Sequence, residues 1–202
     1  LLLADALGKD EFFASKSILV LDKDDKSRND RTWCFWERGK GQFDDLIFKT
    51  WDTIYVGGQQ LQKSTSIAPY TYKMLRGIDF YNHFLPKIKA YQNVTWVQEE
   101  VQHIEEQKNE VLVTTSSQKY IGQTVFSSLY DSFPPLKQSK FPVLQQHFVG
   151  WQIKTEQSVF NLREATFMDF SVEQKGNTRF MYVLPFSDNA ASVSYTHLTL
   201  PT

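Results

Sequence analysis

The stretch that most constrains the fold is "KSILVLD", from Lys16 to Asp22, because it reads as a short, fully buried strand closed by an acid. Before it, "LLLADALG" consists mainly of helix-forming residues and ends at Gly8, a residue suited to the C′ position after a helix. The predicted order is therefore helix, loop, strand and aspartate. This order is typical of the second half of a dinucleotide-binding βαβ unit.

In such a unit, the acid at the end of the second strand lies about 20 residues after a glycine-rich turn and holds the ribose hydroxyls. Counting back from Asp22 places that turn before Leu1, and no N-cap residue precedes the helix. We therefore expect the chain to be cut at its N-terminus. A strand that ends in Asp22 by chance is an equally good interpretation at this point.

Composition and charge exclude several classes of partner. The net charge is -1 and the basic residues are scattered, so no nucleic acid is expected. Cys34 is the only cysteine, which excludes an internal disulfide. The isolated histidines lack the spacing of metal ligands, and the acids after Asp22 do not match a calcium loop, so we expect no metal. Aromatic residues make up 15%, which indicates either an apolar ligand or an aromatic-rich core.

Short strands separated by polar turns are predicted for most of the remaining chain. We expect a hairpin of "WDTIYVGG" with "QLQKSTSI", and either two short helices or one irregular helix in "YKMLRGIDFYNHFLPKIKAYQ". An antiparallel meander is expected from "NVTWV", "VQHIEE", "EVLVTTSS" and "KYIGQTVFSSL". The segments "QQHFVGWQIKT", "ATFMDFSVEQ" and "TRFMYVLPF" are expected to form a sheet with one aromatic face.

The proline-rich segment "DSFPPLKQSKFP" provides the best internal boundary. We predict a nucleotide-binding part over residues 1–131, with inserted strands and a helix, and a second domain over 132–193. Residues 194–202 are a doubtful tail, because "SYTHLTLPT" has no cap, no closing element and no evident pairing partner.

Several blocks of the sequence, taken in order, resemble the lycopene β-cyclases of the bacterial carotenoid pathway, of the type found in Bacteroidetes. The blocks are "ILVLD", "NDRTWCFWE", "QQHFVGWQI", "ATFMDF" and "RFMYVLPFS". The resemblance extends to about Val193 and identifies the chain as a fragment of such a cyclase. Where the family continues with an acid, this chain has Ser194, so we expect a truncated or chimeric C-terminal end.

The resemblance implies an α/β fold, with an FAD/NAD(P)-binding Rossmann-like domain truncated at its N-terminus and an antiparallel-sheet substrate domain. It implies an intramolecular lyase or isomerase that closes the linear ψ-ends of lycopene to β-ionone rings by proton-initiated carbocation cyclisation. Reduced FAD is the implied cofactor, without net redox change, and NAD(P)H is a candidate reductant. By position, Asp22 would hold the adenosine ribose, and Arg31 with its neighbours Asn29 and Asp30 would lie near the cofactor as the polar edge of that segment. The fragment alone is expected to be inactive.

This chemistry needs a protonated acid, a surface that stabilises a cation, and exclusion of water. Asp169 is the best candidate acid because it lies between Met168 and Phe170 on an aromatic strand; the alternative is a solvated position on the outer face. The aromatic residues are candidate walls of a substrate tunnel, with packing in the core as the alternative reading of each. They are Trp33, Trp36, Trp151, Phe170 and Tyr182, together with Phe35, Phe167, Phe180 and Phe186.

Because lycopene is dissolved in the bilayer, the resemblance also implies a cytoplasmic protein that is peripheral on the inner membrane. No run of about 18 to 20 apolar residues is present to span a membrane. Two alternatives stay open. One is another FAD-dependent oxidoreductase or hydroxylase acting on an apolar substrate, and the other is a non-enzymatic binding protein for a hydrophobic ligand.

Overall fold

The computed structural model describes residues 1–130, 140–141 and 143–199. The helices are α1 (Leu2–Lys9) and α2 (Gly77–Ala90). The strands are β1 (Ile18–Asp22), β2 (Thr32–Arg38), β3 (Ile47–Trp51), β4 (Thr53–Gly57), β5 (Gln62–Ser66), β6 (Tyr70–Arg76), β7 (Val94–Gln98), β8 (Val101–Glu106), β9 (Val111–Thr115), β10 (Lys119–Gly122), β11 (Gln145–Lys154), β12 (Glu164–Asp169), β13 (Arg179–Ser187) and β14 (Ala190–Thr199).

The chain divides into two units that are discontinuous in sequence. Unit 1 contains residues 1–33 and 76–130, and unit 2 contains residues 34–75 and 131–202. The segment 1–131 that was predicted as one domain therefore contributes residues to both units. Most of the predicted connector, residues 131–139 and 142, lies outside the described residues.

Unit 1 is an α/β unit in which β1 and β7 pair in parallel, with Asp22 opposite Gln98. Helix α1 packs against β1 and α2, and α2 packs against β7. The predicted strand is confirmed, but the prediction that it is fully buried is wrong, since Leu19 is 38% exposed. Within the described part of the chain β1 has one hydrogen-bonded neighbour, β7, so only one of its edges is covered.

The first helix is also confirmed, whereas the role predicted for Gly8 is wrong. Helix α1 continues to Lys9, so Gly8 lies inside it. A Cβ atom at Gly8 would lie 2.3 Å from the Tyr91 ring, so the missing side chain makes room for that ring. The Tyr91 hydroxyl in turn donates a hydrogen bond to Asp5 at 2.8 Å, which fastens the helix to the residue after α2.

The second helix begins later than predicted. Tyr72 to Arg76 belong to β6, and the helical part is one helix that begins at Gly77 and continues through Pro86. Strand β6 lies between β2 and β3, and its four consecutive residues from Tyr72 to Leu75 are buried. A strand covered on both faces loses the alternation that would distinguish it from a buried helix, which explains the wrong prediction.

The predicted meander is confirmed for its later strands. Strands β8, β9 and β10 form an antiparallel sheet in the order β10-β9-β8. The segment "NVTWV" does not belong to it, because it forms β7 and pairs in parallel with β1. Parallel pairing joins segments that are far apart in the sequence, and local patterning does not reveal it.

Unit 2 contains a six-stranded sheet with the order β11-β14-β13-β12-β4-β5, beside the three-stranded sheet β2-β6-β3. The predicted hairpin of β4 with β5 is confirmed, and so are the three strands β11, β12 and β13. The expectation that the segment from Ser194 lacks a partner is wrong. Strand β14 lies between β11 and β13, with Ser194 opposite both Gly150 and Tyr182.

Candidate functional site

Polar side chains of unit 1 gather at the carboxyl end of β1. We call Asp22, Lys26, Asp30, Arg31 and Tyr81 the polar cluster. Asp22 ends the strand, and its Oδ1 accepts a hydrogen bond from the backbone N–H of Asp24 at 2.9 Å. Its Oδ2 lies 2.8 Å from Lys26 Nζ. Both oxygens of the acid are therefore engaged, at the end of a parallel strand where nucleotides bind in α/β folds.

Arg31 is held by its sequence neighbour. Its Nε and Nη2 donate to Asp30 Oδ2 at 2.9 and 2.7 Å, and the Tyr81 hydroxyl donates to Asp30 Oδ1 at 2.8 Å. The hydrogen bond from Arg31 is the main cause of a lowered pKa of Asp30. Burial, aided by the bond to Asp30, raises the pKa of Tyr81 to about 12. Asp30 is thus an ionised acceptor that fixes a guanidinium and a neutral phenol.

The polar cluster is hydrogen-bonded to the first residue of α2. The Arg31 carbonyl accepts a hydrogen bond from the Gly77 N–H at 2.8 Å. A Cβ at Gly77 would lie 3.0 Å from that carbonyl oxygen, so glycine permits the close approach. The Trp33 ring packs against residues of α2, with its centroid 5.3 Å from that of Phe80 and 6.3 Å from that of Tyr81.

Unit 2 contains an aromatic cluster of different character. We give this name to Trp36, Trp51, Tyr72, Phe167 and Tyr182. The Trp36 ring lies 4.8 Å from Tyr72 and 5.3 Å from Phe167, measured between centroids. Tyr72 lies 6.0 Å from the fully buried Trp51, and Phe167 lies 6.1 Å from Tyr182. Trp36, which is 41% exposed, is the accessible end of the cluster.

A small set of polar groups is enclosed by these rings. The Tyr72 and Tyr182 hydroxyls are hydrogen-bonded to each other, and the Cys34 thiol forms hydrogen bonds with both of them. Burial raises the pKa of Cys34 to about 11 and also raises the pKa of both phenols. All three groups are therefore neutral at physiological pH, and they present hydroxyl and thiol dipoles rather than charges.

Asp169 lies at the end of β12 in unit 2. Its Oδ1 accepts a hydrogen bond from the backbone N–H of Ser171 at 2.9 Å. The carboxylate packs over Gly57 of the neighbouring strand β4, where a Cβ would lie 2.4 Å from Oδ1. Asp169 is itself half-buried. Its burial is therefore intermediate between the two predicted alternatives, a buried proton donor and a solvated residue on the outer face.

The structure distributes the predicted tunnel residues over several places. Trp36, Phe167 and Tyr182 lie in the aromatic cluster, whereas Trp33 contacts residues of unit 1. Trp151 is 53% exposed on β11. Phe186 contacts Phe48 and packs against the same buried core as Phe167 and Tyr182. The remaining rings form other contacts of unit 2, namely Phe170 with Phe180 and Phe35 with Phe43.

Sequence reasoning missed four members of the two clusters. Tyr72 was placed in a helix, Trp51 and Tyr81 carried no motif, and Lys26 was one charge among several. Lys26 has a positive φ of 58°, which no sequence pattern predicts for a lysine. The partners of Trp51 and Tyr72 come from strands distant in sequence.

A family model described as "Lycopene cyclase protein" matches residues 1–200. The chain belongs to the lycopene cyclase family. The resemblance found in the sequence is thereby confirmed, and the match also includes the segment after Val193. No curated protein matches the chain.

Solved structures share the fold at low identity. PqsL, a probable FAD-dependent monooxygenase from Pseudomonas aeruginosa, is 10% identical with a TM-score of 0.59, over 96% of this chain and 56% of that one. A flavoprotein/dehydrogenase from Cytophaga hutchinsonii is 13% identical with a TM-score of 0.60, over 96% and 52%. CtdE in complex with FAD is 8% identical with a TM-score of 0.61, over 100% and 57%.

These similarities confirm the predicted fold, a Rossmann-like α/β part combined with an antiparallel sheet. The chain spans about half the length of the solved structures that it matches. In the described residues, neither helix is long and apolar enough to cross a membrane. The same residues contain no group of three metal-ligating side chains.

Proposed function

We propose that this chain is part of an FAD-dependent lycopene β-cyclase. The observation that carries the proposal is the family match, which extends over residues 1–200. It is supported by the fold, which is shared with proteins described as FAD-dependent or as FAD complexes. Lycopene and its partly cyclised product are the proposed substrates.

The polar cluster fits the adenosine end of FAD. Asp22 is a half-exposed carboxylate at the carboxyl end of a parallel strand, the position at which an acid binds ribose hydroxyls. Arg31 carries a fixed guanidinium nine residues later, and its charge suits a phosphate-containing ligand. In this proposal Asp22 binds the ribose and Arg31 lies near the cofactor, which NAD(P)H would keep reduced.

The proposed reaction is an isomerisation. A carboxylic acid protonates the terminal alkene of lycopene, which forms a C–H bond and a tertiary carbocation. An internal alkene attacks that carbocation, forming the ring C–C bond, and loss of a neighbouring proton restores neutrality with a new double bond. Atoms and electrons balance without a redox partner, so the reaction would not consume reduced FAD.

In this scheme the residues of unit 2 handle the proton and the cation. Asp169 is the proposed proton donor, which requires its carboxyl to be protonated when substrate is bound. Aromatic faces stabilise a nearby cation by about 0.5 to 2 kcal/mol each. Trp36, Phe167 and Tyr182 form such a group, and the neutral hydroxyls beside them add no competing base.

The substrate also determines the proposed location. Lycopene is confined to the bilayer, so the enzyme would collect it as a cytoplasmic protein attached to the inner membrane surface. Co-sedimentation of the full-length protein with lipid vesicles, compared with vesicle-free controls, tests this part separately.

The decisive experiment expresses the full-length parent protein in a bacterial host that accumulates lycopene. We expect β-carotene to replace lycopene and purified protein to carry FAD. Unchanged lycopene together with well-expressed, FAD-loaded protein would contradict the proposal. Stoichiometric oxygen consumption with an oxidised product would instead favour the oxidoreductase alternative, and flavin-free protein that retains carotenoid would favour a binding protein.

A further inference from the structure

Lys26 has an unusual position in the polar cluster. It lies in the loop after β1, its backbone φ is 58°, and its side chain is only 10% exposed. Its Nζ contacts Asp22 Oδ2 at 2.8 Å and lies 3.8 Å from Asp24 Oδ1 and 5.7 Å from the Tyr81 ring centroid. Glycine adopts a positive φ at lower cost than lysine, so the backbone conformation does not explain why a lysine occupies this position.

The Lys26 ammonium group lies beside several acidic side chains and offsets part of their negative charge. Asp22, Asp24, Asp25 and Asp30 lie within nine positions of the chain. A dinucleotide brings two further negative charges in its pyrophosphate, which these carboxylates would repel. Of the basic residues in this stretch with a described ion pair, Lys23 pairs with Glu100 at 3.1 Å and Arg31 with Asp30 at 2.7 Å, whereas Lys26 pairs with Asp22 itself.

We propose that Lys26 is a positioning residue for the nucleotide: it holds the Asp22 carboxylate in place for the ribose and compensates its charge against the pyrophosphate. This inference rests on the proposed function, because it takes FAD as the ligand. The backbone N–H of Asp24 fixes one oxygen of Asp22, and Lys26 fixes the other. A ribose hydroxyl then meets a carboxylate of defined orientation and reduced net charge.

The test measures FAD binding to the full-length protein by quenching of flavin fluorescence at low and high salt. Lys26→Gly is the main variant, because glycine accepts the φ of 58° and removes only the side chain. We expect its Kd for FAD to rise about tenfold at low salt, the size of a lost hydrogen bond to a charged group. The loss should shrink at high salt, where the remaining repulsion is screened.

Three further comparisons separate the effect of the Lys26 charge on FAD affinity from other effects. Lys26→Arg should recover most of the affinity, whereas Lys23→Gln, a matched charge change in the same loop, should leave Kd within about twofold because its ion pair is exposed. In an Asp22→Asn background, Lys26→Gly should have little further effect, since the lysine acts through that carboxylate.

The inference is overturned if Lys26→Gly binds FAD like the wild type, or if its loss is equally large in the Asp22→Asn background. Thermal unfolding of each variant identifies any that has not folded, and for such a variant Lys26→Gln supplies the same comparison. Failure of the wild-type protein to bind FAD would overturn the proposed function instead, so the two failures are distinguishable.

Discussion

The polar cluster of unit 1 and the aromatic cluster of unit 2 are organised in opposite ways. In the first, ionised groups near the surface hold one another through short ion pairs, as Arg31 does with Asp30. In the second, neutral hydroxyls and a thiol are enclosed by rings. Exposed ion pairs contribute little to stability, whereas buried aromatic rings contribute much. We therefore expect changes in unit 1 to alter ligand affinity and changes in unit 2 to alter stability or turnover.

The largest effect is expected for the buried end of the aromatic cluster. Trp51 is 1% exposed, so Trp51→Ala leaves a large cavity and should cost about 3 to 5 kcal/mol of unfolding free energy. Denaturant unfolding of the full-length protein measures it. Trp151→Ala, at a site 53% exposed, should change stability by less than about 0.5 kcal/mol. Equal losses of unfolding free energy in the two variants would contradict the assignment of Trp51 to the core and Trp151 to the surface of unit 2.

Asp169 tests whether unit 2 performs the proton transfer. Asp169→Asn preserves the shape and the acceptor for the Ser171 N–H but removes the acidic proton, so cyclisation should slow by about 100-fold or more. The FAD content should not change. Asp188→Asn, at a carboxylate that accepts a local hydrogen bond from Ser158, serves as the matched control with near-normal turnover. Normal turnover of the Asp169 variant would assign the proton to another acid.

Trp36 distinguishes cation stabilisation from packing. Removing its ring in Trp36→Ala should lower the cyclisation rate by about 2- to 30-fold, the equivalent of one cation–π contact. Trp36→Phe, which keeps a ring beside Tyr72, should retain most of the rate. Rates are measured at saturating FAD in parallel with thermal unfolding. If the alanine variant cyclises lycopene at the normal rate and loses only stability, the Trp36 ring contributes to packing and not to cation stabilisation.

The smallest effect is expected in the polar cluster. Tyr81→Phe removes one hydrogen bond to Asp30 and should weaken FAD binding about two- to tenfold, without changing turnover at saturating FAD. Tyr91→Phe is the matched control, because its hydroxyl makes a bond of the same length to Asp5 outside the cluster. A turnover defect in the Tyr81 variant, or an equal affinity loss in the control, would contradict the separation of roles.

The sequence by itself determined the local elements and the family. The apolar run of β1 and the helix formers of α1 are short-range patterns, and both elements formed where predicted. The aromatic blocks carried the family resemblance because such runs are rarely repeated by chance, and the family match confirmed it. Asp22 could be singled out because its position at the end of a strand is itself a local property.

Only the tertiary structure decided which residues meet. The Tyr72 and Tyr182 hydroxyls are hydrogen-bonded although 110 positions separate the two residues in sequence, and β14 lies between β11 and β13. Burial of β6 on both faces removed the alternation that would have identified it as a strand. The contact of Lys26 with Asp22 depends on a left-handed backbone residue, which a sequence pattern does not specify for lysine. Long-range pairing and special dihedral angles are properties of the packed chain, so the clusters emerge only when the chain has folded.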